Sequence, residues 1–455
     1  MASRRGGRRL LAATVMAALC LSTFDEAALE GWPTTAAVLR GWPSPAAVLK
    51  GWPTPAAQSL RPEQAGTETR ALWVLRTSLT SPASITALVR SARQHGFNTL
   101  FVQVRGRGDA YYRGGIEPLA PDLARQPAAF DPLAAVIEAA HAQDIRVHAW
   151  INLNLVSSAV DLPAARGHVV YRHPEWLMVP RDIAQELARV DIRSPAYVGK
   201  LARWTRGQLT DVEGLYVSPV ALGAAAHTEL VVRDITRRYA LDGLHFDYAR
   251  YPTDRFDYSR HAIREFRGSV SASLSEARRR ALNAESATDL FAYPDALPDE
   301  WRQFRVSRMT ALMTRLRAAV KSERPDAIVS VAAAPDQRDA LTRKLQDWGT
   351  WLHDGIVDAL CPMAYTQEPA RFAEQIAGAR HAAGDRPVWA GIGAYRLSPA
   401  QTIANIHTAR KLGAAGVILF SYDSLIDPQQ SAPGYLSTVG RAVFADRRPT
   451  ESGSR

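Results

Sequence analysis

The strongest chemical signature in the chain lies in the segment DGLHFDYARYP at residues 242–252. Side chains alternate along an extended segment, so Leu244 and Phe246 share one face while His245 and Asp247 share the other. A carboxylate among apolar residues costs several kcal/mol in desolvation unless it is paired or used. Pairing with Arg250 or Arg105 is the structural explanation; chemistry at Asp247 is the functional one. Carboxyl groups that cleave glycosidic bonds work in twos, one protonating the leaving oxygen and one acting as base or nucleophile. Further carboxyls follow other strand-like runs at Asp109, Asp336, Glu368 and Asp423. Asp336 and Glu368 are expected to be catalytic alongside Asp247, with Asp109 and Asp423 at the substrate.

The same alternation groups Gln103 with Arg105, His148 with Trp150 and Asn152, and Cys361 with Met363 and Tyr365. The opposite faces of these runs are aliphatic, which turns the polar faces toward a common interior. Long hydrogen-bonding side chains beside aromatic rings suit a sugar, which offers hydroxyl edges and apolar C–H faces. The expected substrate-binding set is Gln103, Arg105, Asp109, Trp150, Asn152, His245, Arg250, Tyr365 and Asp423. A metal site built from His148, His245 and Asp247 is the competing chemistry. Metal-dependent barrel hydrolases open on a His-x-His strand, and the first strand here, RALWVLR at 70–76, has no histidine. Neither a metal nor another cofactor is expected.

Eight β-like runs carry these residues, at 70–76, 98–105, 145–152, 242–248, 327–334, 357–365, 387–393 and 416–422. Amphipathic helical patterns lie between them. One of these starts at a Ser81 cap and stops at Gly96. Eight strands alternating with helices predict an α/β fold, a (β/α)8 TIM barrel, with chemistry at the C-terminal ends of the strands. Roughly 90 residues separate the third and fourth strands, and roughly 80 the fourth and fifth. A typical repeat takes about 30 residues, so long insertions follow strands three and four. Insertions on that face build a substrate cleft.

The remaining features set the context. The net charge of +10 occurs without a Lys/Arg stripe interleaved with aromatics, so it reads as a solvated basic surface and no nucleic-acid partner is expected. A basic head, MASRRGGRRL, precedes the apolar run LLAATVMAALCLSTF; residues 1–30 read as a signal peptide or N-terminal anchor. The protein is therefore expected to be exported to the periplasm, cell envelope or exterior, touching a membrane only through an uncleaved anchor. Cys20 and Cys361 are the only cysteines, which excludes a disulfide framework. A ten-residue Gly-Trp-Pro repeat occupies 31–60, within an expected linker at 31–67. The barrel is expected over 68–445, and a disordered tail over 446–455.

Taken in order, the motifs resemble the family-10-like group of bacterial glycosyl hydrolases, exported TIM-barrel proteins. The similarity spans about residues 68–425 and rests on RALWVLR, FNTLFVQVRGRGDAYY, FDPLAAVIEAAHAQDIRVHAWINLN, GLYVSP, LDGLHFDYARYP, CPMAY and LFSYDSL. It implies that Asp247 is a catalytic carboxylate and that Gln103, Arg105, Asp109, Asn152, His245, Arg250 and Tyr365 line the site. The implied substrates are bacterial glycans, peptidoglycan strands among them. Tyr248 stands where many members carry a second Asp, and Ser218 where Asn is usual. Ala249 occupies the position of the catalytic Glu in the similar chitinase-type strand.

Overall fold

The computed structural model describes residues 67–444. The predicted signal or anchor, the Gly-Trp-Pro repeat and the C-terminal tail lie outside these residues. Ten strands form among the described residues: β1 (Thr69–Val74), β2 (Thr99–Arg105), β3 (Arg146–Asn152), β4 (Leu155–Ser157), β5 (Leu215–Tyr216), β6 (Gly243–Asp247), β7 (Ile328–Ala333), β8 (Ala359–Ala364), β9 (Trp389–Ile392) and β10 (Gly416–Leu419). All eight predicted strands become staves of one closed parallel barrel in the order β1-β10-β9-β8-β7-β6-β3-β2. The β4 and β5 strands leave it to pair antiparallel, so β3 lies directly beside β6, with Asn152 opposite Asp247.

Local sequence accounts for the surrounding helices. The helix Pro82–Gln94 opens on a reciprocal Ser81–Ser84 capping box, and Pro399–Lys411 on Ser398–Gln401. Gly96 ends the first of these at φ +80°, where a Cβ would also stand 2.8 Å from that of Phe444. The predicted eighth strand is too long by three residues. It stops at Leu419 because the Ser421 hydroxyl accepts from the Ser424 N–H and starts the short helix Tyr422–Ile426.

The barrel interior holds Trp73, Phe101, Trp150, Cys361, Trp389 and Ile418. A separate apolar core joins the two insertions: Val156, Tyr197, Leu201 and Leu215 from the first pack with Phe266, Trp301 and Phe304 from the second. Paired hydrogen bonds of 2.7 Å from Arg181 to Asp295 link them again. The helix Pro298–Glu323 serves both regions, with Trp301 and Phe304 in the insertion core and Met309, Leu312, Met313, Leu316 and Val320 in the barrel core. Truncating a buried aromatic such as Trp301 costs about 3–5 kcal/mol, so this packing makes the insertions a fixed wall of the barrel mouth.

Candidate active site

Asp247 is the last residue of β6, buried at the C-terminal mouth of the barrel. The chain leaves the strand there because Tyr248 adopts φ +51°. That turn brings the Tyr248 N–H to Asp247 Oδ1 at 2.6 Å. Burial pushes the Asp247 carboxyl up to about 6, against the Tyr248 hydrogen bond and the Arg250 charge, and the negative charge of Glu213 adds to the rise. The Trp150 indole N–H also favours the ionised form, although it meets no acceptor in good hydrogen-bond geometry. Alternation alone turns Tyr248 away from Asp247. The left-handed backbone overrides it, and the Tyr248 ring lies 4.8 Å from the Arg250 guanidinium, with its phenol within reach of the Asp247 charge.

Arg250 donates from Nη2 to Glu213 Oε1 at 2.5 Å, and the Tyr216 phenol donates to Glu213 Oε2 at 2.5 Å. Burial alone would raise the Glu213 carboxyl, but the Arg250 charge and the hydrogen bonds from Tyr216 and Arg250 outweigh it and hold it low. Glu213 was not among the predicted residues. It immediately precedes the GLYVSP motif at 214–219, and that adjacency is the signal that marks it.

Other polar atoms at the mouth have no partner among the described residues. They are Trp150 Nε1, Asn152 Oδ1 and Arg250 Nη1, while Asn152 Nδ2 donates to the Gly106 carbonyl at 2.8 Å. Gln103 accepts from Arg76 at 2.7 Å. Aromatic rings continue outward from Trp150. Phe420 lies 6.4 Å from it, Tyr365 stacks on Phe420 at 5.5 Å, and Tyr395, 40% exposed, meets Phe420 at 5.8 Å. Burial and the Asp247 charge push the Tyr365 phenol well up, so it remains a proton-bearing donor. Asp247, Trp150, Asn152, Arg250 and Tyr365 are thus brought together, with Gln103 and Arg76 on the neighbouring strand side.

The other expected residues are engaged elsewhere. Arg105 does not share a face with Gln103, because the β2–β3 register shifts between Gln103 and Arg105 and pairs Arg105 with Ile151. Its side chain turns to Glu117, at 2.6 and 2.7 Å, and to the Asn152 and Leu153 carbonyls. His245 is saturated: Trp73 donates to Nε2 at 3.0 Å, and Nδ1 lies 3.0 Å from the Ser330 hydroxyl. Burial lowers its imidazole to about 3, so it stays neutral and leaves no nitrogen for a metal. Asp423 accepts from Leu75 N, Thr77 and Ser78, tying the end of β10 to the end of β1. Asp109 accepts from Arg107 N within its own loop. Asp336 is an exposed helix cap accepting from Asp339 N, and Glu368 is exposed at the start of the helix Pro369–Ala383. Glu213 is among the largest contributors to the Asp247 shift. Another hollow, lined by Arg146, Asp242, Glu323 and Ile328, opens where β3, β6 and β7 begin, the end of such barrels where chemistry is not found.

Comparison with known proteins agrees with this architecture. The chain belongs to the glycosyl hydrolase-like 10 family, whose model matches residues 68–405. It is 20% identical over 335 residues to glycosyl hydrolase YngK of Bacillus subtilis, covering 66% of this chain and 55% of that protein. It is 25% identical over 278 residues to glycosyl hydrolase DigH of Escherichia coli K12, covering 59% and 55%. The chain thus spans about half the length of the curated relatives it matches. Among solved structures it is similar to the PgaB (BpsB) glycoside hydrolase domain from Bordetella bronchiseptica, with TM-score 0.56, 15% identity and coverage of 78% and 95%. The β-amylase catalytic domain from Paenibacillus polymyxa aligns with TM-score 0.52, 11% identity and coverage of 84% and 99%. At these identities the structures establish a shared barrel fold.

Proposed function

We propose that this member of the glycosyl hydrolase-like 10 family is an exported glycoside hydrolase that cleaves O-glycosidic bonds of a bacterial polysaccharide, with peptidoglycan glycan strands as the first candidate. The observation that carries the reading is Asp247, a buried carboxyl raised to about 6 at the C-terminal mouth of a barrel. Such a group holds its proton up to about pH 6, well above an ordinary Asp, and can hand it to a glycosidic oxygen as the bond breaks. Asn152 Oδ1, buried opposite Asp247 without a partner among the described residues, keeps acceptor capacity beside that carboxyl. Tyr365, Phe420 and Tyr395 offer ring faces to the sugar's C–H surfaces. Export is supported by the basic head and apolar run at the N-terminus. The polysaccharide class is supported by the motif resemblance, and hydrolysis of glycosidic bonds by the relatives' descriptions as glycosyl hydrolases.

The test is incubation of the full chain with a panel of bacterial glycans, including peptidoglycan strands stripped of peptide, followed by mass spectrometry and calorimetry. New reducing ends on one glycan class are expected. Calorimetric binding with no cleavage product across the panel would replace the enzyme by a glycan-binding barrel.

A further inference from the structure

We infer that Glu213 is the ionised carboxylate that works with Asp247 in bond cleavage, an inference that rests on the glycosidase reading. The insertion geometry holds Glu213 in place. It directly precedes Gly214, where a Cβ would lie 2.0 Å from the Ser157 carbonyl, so the ribbon formed by β4 and β5 admits no side chain there. Tyr216, two residues beyond Gly214, is fully packed and reaches back to Glu213 Oε2, while Arg250, three residues beyond Asp247, takes Oε1. Both clamping groups are buried, yet the Glu213 side chain is 38% exposed against 10% for Arg250. Each carboxylate oxygen accepts one of these bonds and keeps lone-pair capacity for another. A carboxylate fixed on its protein side and open on its other side is suited to bind and deprotonate water.

The environments of the two carboxyls push them apart. Burial lets Asp247 hold its proton up to about pH 6, while Arg250 and Tyr216 keep Glu213 ionised well below that, and that divergence assigns acid and base roles. In the step, Asp247 gives its proton to the glycosidic oxygen as the C1–O bond breaks, and the leaving sugar departs as an alcohol. Glu213 removes one proton from the water whose oxygen bonds to C1, leaving a hydroxyl there. Glu213 ends protonated and Asp247 ionised, and proton exchange with solvent restores both. Asp336 and Glu368, exposed on other loops, are not needed.

The experiment compares wild type, Asp247→Asn, Glu213→Gln, Glu213→Ala and Tyr216→Phe on the glycan that wild type cleaves. Glu213→Gln keeps an oxygen that can accept from Arg250 or Tyr216, and a circular-dichroism melt checks that it folds. Glu213→Gln is expected to lose at least about 100-fold in kcat. Azide needs no base, so added azide is expected to restore cleavage by Glu213→Ala and to yield a glycosyl azide seen by mass spectrometry. Tyr216→Phe removes a hydrogen bond from the ionised form, so the acidic limb of the kcat/KM profile should move to higher pH. Glu213→Gln within about threefold of wild type overturns the inference. So does a loss that azide leaves unrescued, which would assign Glu213 to positioning Arg250. In either case an inactive Asp247→Asn leaves the glycosidase reading standing, whereas a wild type that cleaves no glycan removes both.

Discussion

Two buried arginines, each bonded to a glutamate, separate structure from chemistry in this barrel. Arg105 and Glu117 are 1% and 2% exposed, and each of their side-chain nitrogens and oxygens has a partner. Arg105 serves Glu117 twice and two carbonyls, and Glu117 also receives His227 at 3.1 Å. Burial pushes the Glu117 carboxyl up, but the Arg105 charge and these hydrogen bonds more than offset it and hold it well below the usual carboxylate range. Arg250 and Glu213 are bonded as closely, at 2.5 Å, but Arg250 Nη1 has no partner among the described residues and Glu213 reaches solvent. The first pair clamps the loop after β2 against the end of β3. The second joins Glu213 to Arg250, three residues beyond Asp247, where both charges act on that carboxyl, and it has bonding capacity unused. A buried ion pair by itself is weak evidence of function; an incomplete one next to a carboxyl of raised pKa is stronger.

Four experiments can break or sharpen this contrast. The largest effect is expected for Asp247→Asn, at least about 1,000-fold in kcat, because an acid supplying up to 10⁴-fold is removed. Activity within tenfold of wild type would leave the open pair with no acid to serve. Next, Glu117→Ala strands the Arg105 charge in the interior and should lower stability by about 3–5 kcal/mol in denaturant unfolding. A loss below about 1 kcal/mol would mean that the closed pair is no clamp.

The third experiment uses pH. The folded-state pKa of Asp247 is raised from 3.8 to about 6, so the folded protein holds this proton more tightly than the unfolded chain does. The associated stability is complete below the unfolded value and is lost as pH rises through about 6. Asp247→Asn should therefore be more stable than wild type at pH 7 by about 3 kcal/mol, and wild-type kcat/KM should fall above about pH 6 as the acid ionises. Equal melting temperatures for the two proteins at pH 4 and pH 7 would contradict this. The smallest effects are expected at the rim. Asp336→Ala and Glu368→Ala should keep kcat within about twofold, with Asp336→Ala losing about 1 kcal/mol of stability from its lost helix cap. A hundredfold rate loss in either would restore it as the second carboxyl.

The eight staves were legible in the sequence because alternation, Ser and Pro helix starts and Gly stops are local signals, each written within a few residues. Asp247 was legible for the same reason, as an inward carboxylate at the end of an apolar run. Arg105 was misplaced because a one-residue register shift flips a side chain to the other face, and nothing in QVRGRGD distinguishes a bulged strand end from a regular one. His245 was assigned to the correct face, but its partners Trp73 and Ser330 come from strands 172 and 85 residues away. Asp423 was expected at substrate and instead ties β10 to β1, another long-range arrangement.

The chain's own periodicity therefore determined the barrel, its two insertions and the carboxyl at the end of β6. Tertiary structure alone decided which groups surround that carboxyl. Glu213 lies 34 residues before Asp247 and meets Arg250, three residues beyond it, only because β4 and β5 pair outside the barrel and bring Tyr216 and Glu213 to that arginine. Charge and desolvation act through space, so the state of a carboxyl depends on neighbours brought together by packing, and local sequence spacing does not record them.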